Sequence, residues 1–309
     1  MRQEIVVIGS LNLDLVATVP RFPQPGETLT GSAFSRHTGG KGANQAVAAA
    51  LAGARVGMIA RHGTDGFEHT LLATLSDAGV DTTGIRAVAG PSGIALITVT
   101  EAGENSIVLM PGSNGELRPE DLHDQRDRIA ASAMVLTQLE TPVEVLRALL
   151  EHAARAGVPV MLDPAPMRPL ALEDLRGVTW LTPNETEAAL LAGAPVPAEA
   201  SGLRGFAERL LAMGPRNVLL KLGAKGAFLA TSDGLRELIP GYVVDAVDST
   251  AAGDALNGAM AAALARGAGP VEAARFGVAA AALSVTRHGA IASLPCLSEI
   301  EGFLVSVSR

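Results

Sequence analysis

The sequence is short of the residues on which several kinds of protein chemistry depend. Cys296 is the single cysteine in 309 residues, so neither an intramolecular disulfide nor a cysteine-based metal cluster can form. The six histidines are scattered singly, which favours surface positions over metal ligation. The first apolar run, residues 5–8, is far too short for a signal peptide or a membrane span. We therefore expect an unexported protein in a reducing cytoplasm.

Positive charge is scarce too. The chain has 24 Lys and Arg against 32 Asp and Glu, which gives a net charge of -8. That balance disfavours a general electrostatic attraction to nucleic acid or to an anionic membrane. We expect neither as a partner, although a locally basic pocket is compatible with this composition.

Several well-known site motifs are missing. Gly40-Lys41 is followed by Gly42 and not by Ser or Thr, so there is no P-loop. The first apolar run is followed by GSLN at residues 9–12, without the G-x-G-x-x-G of a Rossmann dinucleotide site. Neither H-E-x-x-H nor G-x-S-x-G occurs. The function must therefore rest on other patterns.

Short apolar runs alternate with longer helix-patterned segments, which predicts βαβ units and a mostly parallel sheet with helices on both faces. The predicted strands are residues 5–8, 56–60, 134–139, 158–162, 179–181 and 218–222. The predicted helices are residues 43–52, 67–78, 142–156, 185–192, 203–213, 253–266, 271–286 and 299–307. The fold class is α/β, and a single domain spanning residues 1–309 is the simplest organisation.

Two segments break this alternation. Residues 15–38 carry several prolines with apolar–polar alternation, and residues 94–110 contain two strand-like runs around Glu101–Asn105. The second segment predicts a hairpin. Together they suggest a small antiparallel β lid beside the main sheet. Two surface loops with some strand character are the alternative.

The segment DSTAAGDALNGA at residues 248–259 leads into an alanine-rich predicted helix. Backbone amides of Ala251, Ala252 and Gly253 at such a helix start attract anions through their N–H groups and the helix dipole. Asp254 beside them would face the same point. The amides could stabilise a phosphoryl group while the carboxylate accepts a hydroxyl proton. An aspartate that only caps its own helix is the alternative.

A second glycine-rich segment, GGKGANQA at residues 39–46, precedes another predicted helix. Gly40 and Gly42 permit close backbone approach. Lys41 supplies a cation and Asn44 a two-sided amide, a combination that suits a polyol and a phosphate. A glycine-rich turn with a solvated lysine competes with this interpretation.

Polar residues also follow predicted strands, where ligands bind in open α/β sheets. Asn12 and Asp14 follow the first strand. Glu140 and Asp163 follow the strands at 134–139 and 158–162. These positions predict contacts with sugar hydroxyls, and loop residues that stabilise turns are the alternative.

The strand at 179–181 is followed by Asn184 and Glu187, which have the spacing of a helix capping box. The functional alternative places both near a magnesium–phosphate assembly, with Glu187 acting through water. KLGAKG at residues 221–226 ends a further strand with a glycine-rich turn that could pass beneath a nucleotide.

In combination and order, these motifs resemble the ribokinase family of carbohydrate kinases, also called the PfkB family. The segments that carry the resemblance are GSLNLD, PxPGET at Pro23–Thr28, GGKGANQA, QLE at Gln138–Glu140, PNETEA, LGAKG and AAGD. The pairing of GGKGANQA with QLE is more similar to the ribokinase branch than to the fructokinase, adenosine kinase or phosphofructokinase branches. The resemblance covers nearly the whole chain and implies the ribokinase-like fold. It also implies ATP-dependent phosphorylation of D-ribose to D-ribose 5-phosphate.

The resemblance further implies a role for each matching position. Asp254 would be the general base, and the amides of Ala251, Ala252 and Gly253 the anion hole. The residues holding the sugar would be Asn12, Asp14, Gly40, Lys41, Gly42, Ala43, Asn44 and Glu140. Those at ATP would be Asn184, Lys221, Leu222, Gly223, Ala224, Lys225, Gly226 and Gly253, with Glu187 supporting Mg²⁺ indirectly. A monovalent cation, usually K⁺, would lie at Asp248, Thr250, Ser284, Arg287, Gly289 and Ser293.

The family's lid often pairs two subunits, so a homodimer is implied. The sequence departs from the family at Ala255-Leu256, usually Thr-Phe, and at Val278, often His or Asn near the adenine. Aromatic content is 3%, so adenine would be held by aliphatic surface. The alternatives are a related kinase for deoxyribose, another sugar or a nucleoside, and a sugar-binding regulatory protein without turnover.

Overall fold

The computed structural model describes residues 4–168 and 170–307. Its strands are β1 (Glu4–Ile8), β2 (Asn12–Val19), β3 (Ala33–Gly39), β4 (Arg55–His62), β5 (Val80–Ala87), β6 (Gly93–Thr100), β7 (Asn105–Met110), β8 (Met134–Gln138), β9 (Val160–Asp163), β10 (Trp180–Leu181), β11 (Asn217–Lys221), β12 (Gly226–Thr231) and β13 (Arg236–Pro240). Its α-helices are α1 (Lys41–Leu51), α2 (Glu68–Asp77), α3 (Pro119–His123), α4 (Arg126–Ala131), α5 (Val143–Ala156), α6 (Leu172–Arg176), α7 (Glu185–Ala192), α8 (Ala200–Ala212), α9 (Ala252–Ala265), α10 (Pro270–Ser284) and α11 (Leu297–Val307).

Within these ranges nine strands form the large sheet, in the order β13-β12-β11-β10-β9-β8-β1-β4-β5. The strands from β11 to β5 pair in parallel. Only the β11–β12 and β12–β13 pairs are antiparallel, at one edge. The predicted mostly parallel sheet is confirmed.

The central strand β1 shows why its sequence is an unbroken apolar run. Ile5 and Val7 point into a core formed with α1, α9 and α10, while Val6 and Ile8 point into the opposite core with α5 and α8. All four side chains are fully buried. Successive strand residues face opposite sides of a sheet, so a sheet covered by helices on both faces needs apolar residues at every position.

The small sheet has the strand order β3-β2-β6-β7. The outer pairs, β2–β3 and β6–β7, are antiparallel hairpins, and the central β2–β6 pair is parallel. The predicted lid is confirmed as a second sheet, although its first strand begins at Asn12 and not at residue 15. Because β2 follows β1 after three residues, the lid grows directly out of the carboxyl edge of the large sheet.

Some elements were absent from the sequence prediction. Strand β5 is a polar edge strand, VDTTGIRA, and β12–β13 is a hairpin at the opposite edge. The helices predicted after residue 251 are confirmed as α9, α10 and α11. Among the helices in the described part of the chain, none has the length and apolar character needed to cross a membrane.

Candidate active site

The predicted polar residues converge at the carboxyl edge of the large sheet. A cleft of about 390 Å³ opens there between the ends of β9 and β11 and the starts of α1, α7 and α9. Its lining includes Lys41, Asp163, Asn184, Lys221 and Asp254. Ligands of open parallel sheets bind at this edge, so the cleft is the candidate active site.

The start of α9 presents backbone N–H groups to this cleft. Ala251 has φ 59° and is the one non-glycine residue with positive φ in the described ranges. This left-handed turn aims the following amides inward. The amide of Ala252 donates to the Ser249 carbonyl at 3.3 Å, whereas within the described residues those of Gly253 and Asp254 have no acceptor. A helix start with such amides is suited to an anion.

Asp254 lies one residue further along α9 and is buried. Its Oδ1 accepts from Gln45 Nε2 at 2.9 Å, and its Oδ2 accepts from Asn44 Nδ2 at 3.0 Å. Burial raises the pKa of Asp254 above its ordinary value, and the Asp163 charge adds to this rise. The Lys41 ammonium and the two amide donors lower the pKa but do not cancel the rise. The result is a carboxylate held in one orientation with raised basicity.

The start of α1 depends on two glycines. Gly40 has φ +90°, and a Cβ at Gly42 would lie 2.5 Å from the backbone nitrogen of Ser10. A side chain at Gly42 would therefore push α1 away from the end of β1. The close approach lets Lys41 and Asn44 face the same cleft as α9.

Lys41 is the main cation between the helix starts. Burial by itself lowers its pKa, but the carboxylates of Asp254, Asp163, Glu140 and Glu187 outweigh burial and raise the pKa above its usual range. The lysine is therefore charged at any physiological pH. An ammonium at this position complements a phosphoryl group.

Asn12 and Asp14 lie on β2 beside the start of α1, outside the lining of the cleft. Asn12 Oδ1 accepts from Asn114 Nδ2 at 2.6 Å, which leaves the Asn12 amide hydrogens for a ligand. Burial raises the pKa of Asp14 to about 7, and the Glu140 charge adds to the rise. Glu140 accepts from the Lys41 backbone N–H at 3.0 Å and from the Ser10 hydroxyl. Donors and acceptors for several hydroxyls thus lie together beside the start of α1.

One wall of the cleft is formed by Asn184, Glu187 and the turn after β11. The capping box is present: Glu187 N–H donates to Asn184 Oδ1 at 2.9 Å, and Asn184 N–H donates to Glu187 Oε2 at 2.8 Å. Burial raises the pKa of Glu187, and the Asp163 charge adds to the rise. Lys221 Nζ donates to Asp163 Oδ1 at 2.9 Å. The predicted turn of residues 222–226 follows, with Gly223 and Gly226 both at positive φ.

The predicted cation positions lie beside the anion-binding turn. Asp248 accepts from the N–H groups of Thr250 at 2.9 Å and Gly289 at 2.8 Å. Burial raises the pKa of Asp248, but these donors outweigh it and hold the pKa below its usual value. The hydroxyls of Ser284 and Ser293 donate to backbone carbonyls, and the Arg287 guanidinium pairs with Glu299. Oxygens of backbone, hydroxyl and carboxylate type suit a hard cation.

Across the described residues, no group of three or more His, Cys, Asp and Glu side chains is arranged to hold a metal ion. A monovalent cation held largely by backbone carbonyls needs no such cluster. A magnesium ion held by ATP phosphates and one water-bridged carboxylate needs none either.

Sequence reasoning did not select Gln45, Gln138 and Asn114 as site residues. Gln45 belongs to GGKGANQA and Gln138 to QLE. Neither the residue type nor the spacing shows which side chains will be joined by hydrogen bonds. Asn114 comes from the 3₁₀ helix Gly112–Glu116, which the strand and helix patterns do not mark. Asp163, predicted either to contact sugar hydroxyls or to stabilise a turn, accepts from Gln45 and Lys221.

Comparisons with known proteins agree with this architecture. The model for the pfkB family of carbohydrate kinases matches residues 2–297. A ribokinase from Haemophilus influenzae is 43% identical over 305 residues, which cover 98% of this chain and 99% of that protein. A deoxyribokinase from Salmonella typhi is 36% identical over 305 residues, with coverage of 97% and 98%. The structure of an Arabidopsis thaliana ribokinase complexed with ribose and ATP superposes with a TM-score of 0.92, at 32% identity and coverage of 98% and 99%.

Proposed function

The chain belongs to the pfkB family of carbohydrate kinases, and we propose that it transfers the γ-phosphoryl group of ATP to the 5-hydroxyl of D-ribose. The observation that carries the proposal is the buried Asp254 carboxylate beside the Gly253 amide at the start of α9. Phosphoryl transfer to a hydroxyl requires a base and an anion-binding group at one point. The ribokinase relatives support D-ribose as the acceptor.

In the proposed reaction Asp254 accepts the proton of the sugar hydroxyl while that oxygen attacks the γ-phosphorus. The bond between this phosphorus and the β–γ bridging oxygen breaks, and ADP leaves. The amides of the predicted anion hole, Ala251, Ala252 and Gly253, together with that of Asp254, would stabilise charge on the transferred group. Lys41 adds a positive charge on the opposite side.

The sugar would be held by Asn12, Asp14, Asn44 and Glu140, with the backbone of Gly40, Gly42 and Ala43 close to it. The nucleotide would lie against Asn184 and the turn of residues 221–226. Both Glu187 oxygens already accept from Asn184, so Glu187 would support Mg²⁺ through water. When bound, Mg²⁺ neutralises charge on the ATP phosphates.

A monovalent cation such as K⁺ would be held by oxygens of Asp248, Thr250, Ser284, Arg287, Gly289 and Ser293. Its position beside residues 249–253 would stabilise the turn that carries the anion-binding amides. The small sheet would act as a lid that excludes water from the reaction. We further propose that two lids pair in a homodimer and that the enzyme works in the cytoplasm.

A second acceptor, 2-deoxyribose, is favoured by the 36% identity with a deoxyribokinase. The two sugars differ by one hydroxyl, and a few polar contacts decide such choices. The cleft and the role of Asp254 would be the same for either.

The test is ADP release by the purified protein with Mg²⁺ and ATP, given D-ribose, 2-deoxyribose, fructose or adenosine, each with and without K⁺. The proposal predicts turnover that depends on D-ribose and is stimulated by K⁺. Turnover with another acceptor alone would move the substrate assignment. Absence of turnover with every acceptor would contradict the proposed function.

A further inference from the structure

Resting on the proposed function, we infer that Gln45 is a positioning residue for the base. Its side-chain amide bridges Asp254 and Asp163 and fixes the orientation of the Asp254 carboxylate towards the acceptor hydroxyl. Gln45 is 1% exposed, lies on α1 and reaches across to α9.

The geometry uses both amide hydrogens of Gln45. Nε2 donates to Asp254 Oδ1 at 2.9 Å and to Asp163 Oδ2 at 3.0 Å. Two carboxylates that share one NH₂ group are brought close in a buried environment, where their charges would otherwise repel. The shared donor therefore offsets part of this repulsion and favours the ionised form of Asp254.

The orientation of this amide is fixed by its neighbours. An ionised carboxylate can only accept hydrogen bonds, so Nε2 and not Oε1 must face Asp254 and Asp163. Oε1 then accepts from Gln138 Nε2 at 2.7 Å. Reversing the Gln45 amide would place its oxygen against two carboxylates, so Gln138 supports the only arrangement that satisfies the donors.

Asn44 completes the support of the base. It donates to Asp254 Oδ2 at 3.0 Å, so each carboxylate oxygen carries one N–H bond and the plane of the group is fixed. The remaining lone pairs on these oxygens are available to the acceptor hydroxyl. A general base works best when it is held at hydrogen-bond reach of its proton.

The other charges around the base come from four elements. The charges of Lys41 on α1 and of Asp163 at the end of β9 both act on Asp254. Lys221 from β11 is bound to the far oxygen of Asp163, and Glu187 on α7 lies beyond it. Removing the Gln45 donors leaves the Asp163 repulsion in place and takes away a bond that lowers the Asp254 pKa.

The test compares Gln45→Met with wild type across pH. Methionine keeps the length of the side chain but cannot donate. We expect kcat with D-ribose to fall about 10- to 100-fold, with a much smaller change in KM, and the acid limb of the kcat profile to move to higher pH. Gln138→Met keeps both Gln45 donors and should give a smaller loss. Gln125→Met, at the half-buried residue before α4 and outside the cleft lining, is the matched control and should behave as wild type.

A second measurement does not depend on turnover. Carboxyl ¹³C NMR of aspartate-labelled protein, with Asp254→Asn for assignment, should show Asp254 titrating at higher pH in Gln45→Met. The inference would be overturned if Gln45→Met left the Asp254 titration and the pH profile of kcat unchanged and lowered kcat only as far as it lowered the melting temperature. Gln45 would then have a packing role only. If wild type phosphorylates no acceptor, the proposed function fails, and the NMR titration still decides the role of Gln45.

Discussion

At the scale of single residues, the proposed reaction depends on Asp254 as its base. Asp254→Asn nearly preserves shape and removes the base, so kcat should fall about 10²- to 10⁴-fold, while calorimetry should find ribose and ATP bound much as in wild type. Asp127→Asn, at a side chain that is 99% exposed, is the matched control. Near-normal turnover in Asp254→Asn would contradict the assignment.

Asp14 should make sugar binding depend on pH. Burial raises its pKa to about 7, and the Glu140 charge adds to the rise. The ionised carboxylate accepts hydrogen bonds from sugar hydroxyls better than the neutral acid does. We therefore expect KM for D-ribose to increase as the pH falls below 7. In Asp14→Asn, KM for D-ribose should be high at every pH. A KM that is constant on both sides of neutrality would contradict this.

The raised pKa of Asp14 also makes the stability of the fold depend on pH. The folded pKa exceeds the ordinary value of 3.8, so the contribution of Asp14 to stability is complete below that value and is lost as the pH rises through 7. Every tenfold difference in proton affinity between the folded and unfolded chain is worth about 1.4 kcal/mol. Asp14→Asn should therefore melt above wild type in alkaline solution, with a gap that narrows as the solution becomes acidic. Asp127→Asn should follow wild type throughout.

The residues of the site were predictable as far as they follow strands and glycine turns. Asp254, Lys41 and Asp14 stand at such positions. Asp254 and Lys41 line one cleft, whereas Asp14 lies outside its lining, close enough to Glu140 to feel that charge. Gln45 and Gln138 were not identified, because their importance lies in which amide hydrogen meets which carboxylate. That information arises only when α1, β8 and β9 come together from separate parts of the chain.

At the scale of elements, the site depends on how closely α1 and α9 pack. A Cβ at Gly258 would lie 2.5 Å from Ala48 Cβ and 2.7 Å from the Gln45 carbonyl oxygen. Gly258→Ala should therefore separate the helices that carry the base and its support, lowering stability by about 1–3 kcal/mol and reducing kcat. Melting curves and turnover measure the two effects.

Gly205→Ala is the matched control for this change. Gly205 also lies inside a helix, α8, but a Cβ there would meet nothing within 4 Å. Alanine should raise stability by about 0.5–1 kcal/mol and leave turnover unchanged. If Gly258→Ala and Gly205→Ala changed stability and turnover equally, the close contact at Gly258 would not be needed for either property.

The elements themselves were predictable from several kinds of local signal. The unbroken apolar run of β1, the apolar face of α5 and the alanine-rich sequence of α9 were each found close to their observed bounds. The polar strand β5 was not predicted, because an edge strand needs little apolar surface and so has no clear apolar pattern. The lid was open to two interpretations, since its pairing joins segments far apart in sequence.

At the scale of the whole molecule, the lid has two different faces. Residues paired across strands share a face, so Val16, Ile97 and Ile107 lie on the face of Asp14. Leu15 pairs with Leu96, which in turn pairs with Val108, so these three residues lie on the other face. Leu15 packs against the main core. The Asp14 face has apolar residues beside the proposed sugar site and is the one that the proposed dimer should cover.

Ile107 and Val108 test this arrangement because they are neighbours on opposite faces, 52% and 57% exposed. A glutamate buried in an apolar interface loses its hydration, so Ile107→Glu should raise the dimer dissociation constant on the order of 100-fold or more. It should also raise KM for D-ribose, because the uncovered lid no longer shields the sugar. Val108→Glu, the matched control, should stay dimeric, as judged by light scattering over a range of concentrations. A monomeric wild type, or dissociation by Val108→Glu alone, would contradict pairing through the Asp14 face.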